Sequence, residues 1–163
     1  VLEAGREDTH FIMLSAGYEI SEKVAAEAKA LSAQFSNFRF VPGLVPREEV
    51  YALWNAVDIM VSAPIYDGYS AALAEARYAG VIPVVNAIPG NLEVIQHQEN
   101  GWVCTPFESG KLASDLGKLL DERSIWKEKF REPNRRWIED HSLVAVHAST
   151  FVEWCAELVR QEP

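Results

Sequence analysis

Between Asp58 and Val85 the chain reads DIMVSAPIYDGYSAALAEARYAGVIPVV, and no other stretch narrows its possible folds as much. Asp58-Ile59-Met60-Val61-Ser62 is a short, nearly continuous apolar run, as expected of a strand buried on both faces of a parallel sheet. The loop Ala63 to Tyr69 follows, and Ser70 is placed as the N-cap of an Ala-rich helix over Ala71 to Ala79. Gly80 supplies the helix stop, and Val81 to Val85 begins the next strand. Strand, loop, helix and strand make a βαβ unit whose loop lies at the carboxyl end of a strand, where open α/β sheets bind ligands.

Two acids stand out in this unit: Asp67 just ahead of the helix, and Glu75 on it among alanines. A lone carboxylate on a face of small residues can reach something bound above the loop. Gly68 removes the side chain beside Asp67 and permits close backbone approach, while the free N–H groups of the first helical turn favour an anion. Carboxylates repel phosphate, so the acids suit sugar hydroxyls and the backbone suits phosphate. The arrangement fits a nucleotide bearing a sugar.

The rest of the chain extends the same pattern. Further strands are expected near 10–14, 38–41 and 102–104, and Val1 to Arg6 reads as the tail of a helix. Apolar stripes at helical spacing predict helices over Ser21 to Phe35 (Val24, Ala28, Leu31, Phe35 inward) and from Pro46 (Val50, Leu53, Trp54 inward). A short helix is expected near Asn91 to Gln96, followed by an Asn100-Gly101 turn. Three more helices follow: Ser109 to Asp121 (Leu112, Leu116, Leu119, Leu120 inward), Ser124 to Asp140, and Leu143 to Arg160. The last should bury Val144, Ala148, Phe151, Val152, Cys155 and Val159 on one face. The tryptophans read as core or interdomain packing.

At 163 residues the natural count is one α/β domain, and a formal charge of −9 argues against nucleic-acid or anionic-membrane binding. Cys104 and Cys155 lack ligand spacing and read as buried free thiols in a reducing cytosol. The four histidines show no metal spacing, and no run is long and apolar enough to span a bilayer.

The ordered set of motifs resembles the GT-B glycosyltransferases, within them the large retaining group called family 4. Their donor-binding domain carries an acid-x7-acid signature, E-G-F-G leading into a helix that ends E-A-x-A-x-G-x-P-V-V. Here it reads Asp67-Gly68-Tyr69-Ser70 through Glu75-Ala76-Arg77-Tyr78-Ala79-Gly80-Val81-Ile82-Pro83-Val84-Val85. Phe40-Val41-Pro42-Gly43 and Pro46 to Val50 upstream match too, as do Asn91 to Ile95 and Asn100 to Val103 downstream.

The resemblance implies a Rossmann-like doubly wound parallel sheet, the carboxy-terminal half of a GT-B enzyme, with strand order 3-2-1-4-5-6. The first, central strand would lie upstream of Val1, so a separate upstream segment or a strand from a neighbouring copy is expected between the strands near Phe11 and Asp58. Residues 1–140 would form the nucleotide-sugar-binding domain, and 141–163 a helix packing on an amino-terminal domain. Asp67 would face the transferred sugar as the catalytic-site acid, and Glu75 would accept hydrogen bonds from the ribose. Gly68, Tyr69 and Ser70 would hold the donor phosphates, the main chain of Gly43, Leu44 and Val45 the base, and Gly17 a phosphate contact after the first strand of this chain. The donor would be a nucleoside diphosphate sugar, with no metal or other cofactor required and no Asp-x-Asp motif present. A basic Arg and Lys pair that neutralises the leaving diphosphate would lie upstream, and the acceptor, a carbohydrate or lipid, would be met by the amino-terminal domain. The setting implied is cytoplasmic, peripheral to a membrane through that domain if at all. A sugar-nucleotide 2-epimerase shares the architecture, and a flavodoxin-like or non-catalytic nucleotide-binding module is the reading from another class.

Overall fold

A computed structural model of the protein describes residues 6, 8–15, 20–105 and 108–161. They fall into two compact units, residues 1–53 and 54–163. In the first, strand β1 (Phe11–Leu14), helix α1 (Glu22–Gln34) and strand β2 (Phe38–Val41) form a βαβ unit. The strands are parallel and in register from Phe11 opposite Phe38 to Leu14 opposite Val41. Ser21 caps α1, its hydroxyl accepting from the Val24 amide at 3.3 Å. Ala28 is buried on this helix, whereas Val24, expected inward, is exposed: a two-stranded sheet is too narrow to cover the whole stripe.

Helix α2 (Arg47–Ala56) leads into the second unit, which contains β3 (Ile59–Ser62), α3 (Ala71–Tyr78), β4 (Ile82–Asn86), α4 (Pro89–Leu92), β5 (Trp102–Cys104), α5 (Ser109–Asp121), α6 (Arg123–His141) and α7 (Val144–Gln161). Its sheet runs β3-β4-β5, all parallel. Every residue of β4 is buried, because alternate side chains face opposite layers. Ile82 and Val84 pack with Trp102, Cys104, Leu119 and Phe130 on the α5–α6 side, and Val85 packs with Leu73 and Ile95 on the other.

The α/β architecture is the one expected, Rossmann-like, with parallel sheets flanked by helices. The pairings β1-β2 and β3-β4-β5 are those of the expected order. Most elements match the expected bounds within two residues, but α4 starts earlier and is shorter than anticipated, with Pro89 at its first position. Gly80 ends α3 with φ +79°, as its position implied. The expected helix tail over Val1 to Arg6 lies, Arg6 apart, outside the described residues.

The last helix departs most from expectation. Val144, Phe151, Val152 and Val159 are exposed, as are Ala148 and Cys155, so the face expected to be buried is not. A period of 3.6 says that one face is apolar, and it does not say that the partner lies in the same unit. Trp154 is likewise exposed and so is not part of the core of this unit, and Cys155, expected to be buried, is an exposed free thiol while Cys104 is a buried one. The expectation that no segment is apolar enough for a bilayer also needs correcting. The helical stretch Arg123–Arg160 holds an 18-residue window of mean hydropathy 1.2, none of it buried. An average over a window tolerates a few charges that break an uninterrupted apolar run, and length and composition of this kind equally suit a helix docked on protein.

The lower part of α3 packs on α6 through an unusual core residue. Arg77 is fully buried; its Nε donates to Asn134 Oδ1 at 3.0 Å, and its guanidinium carbon lies 4.5 Å from the centre of the Trp137 ring. Burial pushes its pKa down, while Tyr69 pulls it back up. The two terminal nitrogens have no acceptor in good hydrogen-bonding geometry. Asn134 is buried too, and its amide donates onward to Asn100 O at 2.8 Å, which ties α3 to α6 and to the turn before β5.

Arg77→Met removes the desolvation cost of a buried cation but leaves Asn134 Oδ1 without its donor, so it should destabilise less than removal of Asn134 does. Asn134→Ala, by contrast, strands the Arg77 Nε and should cost about 1–3 kcal/mol. Urea unfolding of both variants checks this, and equal losses in the two would contradict it. In the larger cluster, Phe130→Ala should cost about 3–5 kcal/mol in the same assay, since the ring is 1 % exposed among Trp126, Leu119 and β4.

Candidate functional site

The loop from Ala63 to Ser70 leaves the carboxyl end of β3 and is held from below by the β4–α4 corner. Asn86, the last residue of β4, donates its side-chain amide to Pro64 O. Asn91 in turn donates to both the backbone and side-chain oxygens of Asn86, each at 3.0 Å, so both asparagines are locked in a buried pair. Above this support Ile65, Tyr66, Asp67 and Gly68 are exposed.

Ser70 occupies the N-cap of α3 with extended backbone angles, yet its hydroxyl makes no capping hydrogen bond. The first amides of α3 therefore lack the side-chain acceptor that usually satisfies one of them, which leaves a positive helix end beside the Asp67 loop. Tyr69 anchors the loop sideways: its ring meets Trp137 edge-on at 5.8 Å, and its hydroxyl accepts from Ser142 Oγ at 3.3 Å.

Glu75 is half-buried on α3 and is not the isolated carboxylate that the sequence suggested. Trp54 Nε1, from α2, donates to its Oε2 at 3.2 Å. A charge-assisted bond from a rigid indole fixes the carboxylate's rotamer. Asp67, Gly68, Tyr69, Ser70 and Glu75 thus share one loop and the helix it opens.

Gly43, Leu44 and Val45 belong to the first unit. Gly43 adopts φ +84°, in the left-handed region, and is held by Ser15: its amide donates to Ser15 Oγ at 2.7 Å, and that hydroxyl donates back to Gly43 O at 3.3 Å. The turn after β2 is therefore tied to the end of β1, with Leu44 projecting into solvent at 83 % exposure. Gly17 lies outside the described residues.

A cavity of about 260 Å³ also opens at the carboxyl ends of the second sheet, lined in part by Val61, Ser62, Asn86, Cys104, Glu108 and Leu112. Its lining is mainly apolar, and burial pushes the Cys104 thiol pKa up, which keeps that group protonated and inert. Among the described residues no three His, Cys, Asp or Glu side chains are grouped to hold a metal ion.

Two contributors escaped the sequence reading. Trp54 was counted as an inward apolar residue, although an indole has one donor that needs an acceptor once it is covered, and Glu75 is that acceptor. Asn86 closes an otherwise apolar buried strand, and a polar residue there is itself a sign of a buried hydrogen-bond assignment.

The match to the family model described as glycosyl transferases group 1 covers residues 4–140. A 2-deoxystreptamine glucosyltransferase of Streptomyces kanamyceticus is 24 % identical over 139 residues, which is 85 % of this chain and 34 % of that protein. The fold is similar to that of a glycosyltransferase from Rickettsia africae, at a TM-score of 0.81 and 16 % identity over 98 % of this chain and 42 % of that one. It is also similar to the Anabaena protein HepE in complex with UDP-glucose, at a TM-score of 0.76 and 16 % identity over 91 % and 41 % of the two chains. The chain spans about a third or less of the curated relatives it matches. With a family model matching most of its length, the chain belongs to the group 1 glycosyltransferases.

Proposed function

We propose that the chain is the donor-binding half of a retaining, family 4 type glycosyltransferase, which moves a sugar from a nucleoside diphosphate to a carbohydrate or lipid acceptor. The observation that carries this reading is the uncapped start of α3, with exposed Asp67 before it and half-buried Glu75 along it. An anion is favoured at the helix end, and hydroxyl donors are favoured at the two acids, which together describe a sugar nucleotide. The similarity to a protein whose structure was solved with UDP-glucose supports the same ligand class.

In this reading the amides of Gly68 to Ser70 and the first amides of α3 bind the diphosphate. Glu75, oriented by Trp54, accepts from the ribose, and Asp67 faces the transferred sugar. Gly43, Leu44 and Val45 contribute main-chain contacts to the base, and Gly17 a phosphate contact. Cleavage of the bond from the anomeric carbon to the β-phosphate develops negative charge on the leaving diphosphate, which donors aimed at its oxygens stabilise. The apolar face of α7 is read as the surface that docks on the amino-terminal domain, which would meet the acceptor.

Glu75→Ala in the full-length protein should weaken nucleoside-diphosphate binding by about 1.5–3 kcal/mol, the worth of a hydrogen bond to a charged group, and Glu75→Gln by less. Isothermal titration measures it, and unchanged affinity would remove Glu75 from the site. The 163-residue chain incubated alone with sugar nucleotides and an acceptor panel should form no glycosylated product, because acceptor positioning supplies a large part of the rate. Turnover matching the full-length protein would show that the reaction needs nothing beyond this chain.

A further inference from the structure

We propose that the β4–α4 corner is a rigid seat that sets the height of Asp67, with Gly90 as the positioning residue and Asn86 as its second fastening. A Cβ placed on Gly90 would lie 2.7 Å from both Asp67 O and Gly68 O, and 3.0 Å from Gly68 C. These are backbone atoms, which cannot swing aside as a long side chain can. The main chain that carries Asp67 therefore rests on the bare α-carbon of Gly90, and any side chain there lifts it. Nothing in the conformation of Gly90 demands glycine, since its φ is not positive. Its role is one of space.

The seat is stiff for reasons independent of Gly90. Asn86 and Asn91 are 7 % and 2 % exposed and hydrogen-bond to one another, so the corner has few ways to yield. Asn86 also ties down the start of the same loop through Pro64 O. Between these fastenings Ile65 and Tyr66 are 82 % and 92 % exposed, so the loop's own side chains contribute little to holding its place. Asp67, itself exposed, gets its position from beneath.

This inference rests on the donor-site reading above, in which Asp67 serves the sugar and the helix end with Glu75 serves the nucleotide. Raising the loop should then harm recognition of the sugar far more than recognition of the bare diphosphate. The full-length protein is titrated with UDP, GDP and ADP and with UDP-glucose, GDP-mannose and ADP-glucose, and the pair that wild type binds best is carried forward. Gly90→Ala should weaken binding of that sugar nucleotide by about tenfold or more, as expected when the hydrogen bond from the sugar to Asp67 is lost. Its affinity for the matching diphosphate should fall by a clearly smaller factor, since Gly68 moves with the loop while Ser70 and the start of α3 stay in place, and its thermal midpoint should stay near the wild-type value. Gly117→Ala, at a glycine with open space around it, should change neither affinity.

Should Gly90→Ala fail to fold, Asn86→Ser carries the same comparison, because it removes the donor to Pro64 O. Hydrogen exchange adds a readout without ligand, with faster exchange expected at the amides of residues 65–69 and unchanged exchange in β4. Wild-type sugar preference and wild-type loop exchange in a folded variant would overturn the seat and leave the donor site standing. Binding of no nucleoside diphosphate by wild type would overturn both.

Discussion

The second unit depends on the burial of β4 on both of its faces. A strand with no exposed residue must be covered by two layers, and here α3 and the segment after α4, through Leu73 and Ile95, cover one face while α5 and α6 cover the other. Parallel neighbours on both edges then force every connection to cross back over a face of the sheet. The loops that follow β3 and β4 are consequently delivered to the same end of the sheet, where the Asp67 loop meets the β4–α4 corner. The location of the candidate site is a consequence of topology, and its detailed geometry follows from the pair of buried asparagines beneath it.

Charge and backbone divide the work at that end. The chain carries a formal charge of −9, and the two acids at the loop and on α3 would by themselves discourage a phosphate. What offsets them is the start of α3, whose amides lack a side-chain cap and project positive potential within a turn of Ser70. Glu75 is held by Trp54 and Tyr69 by Trp137 and Ser142, so the side chains around the helix end are oriented by neighbours packed beside or behind them. Such support is what gives a loop-borne site usable geometry, since the loop residues Ile65 to Gly68 are themselves exposed.

Most of the fold was legible in the residues because the local signals agreed with one another. Ile59 to Ser62 and Ile82 to Asn86 are apolar runs of strand length, Ser70 and Gly80 bracket the helix between them, and Pro46 and Ser21 mark other starts. That Asp67 and Glu75 share one loop and the helix it opens was legible from their spacing. The supports were not, because the Trp54 bond to Glu75 and the Gly90 contact with Asp67 O join residues far apart in sequence and depend on three-dimensional packing. The burial of Arg77 was not legible either, because its stacking on Trp137 and its bond to Asn134 come from a helix more than fifty residues away. The apolar stripe of α7 was read correctly as a stripe and wrongly as buried, since periodicity carries no information about where a partner comes from.

The measurement that bears most directly on this account is a crystal structure of the protein soaked with the sugar nucleotide it binds best. The account predicts the diphosphate at the first amides of α3, the ribose hydroxyls on Glu75 with the Trp54 bond retained, and the sugar over Asp67. A nucleotide bound away from the start of α3, with Glu75 untouched, would contradict it.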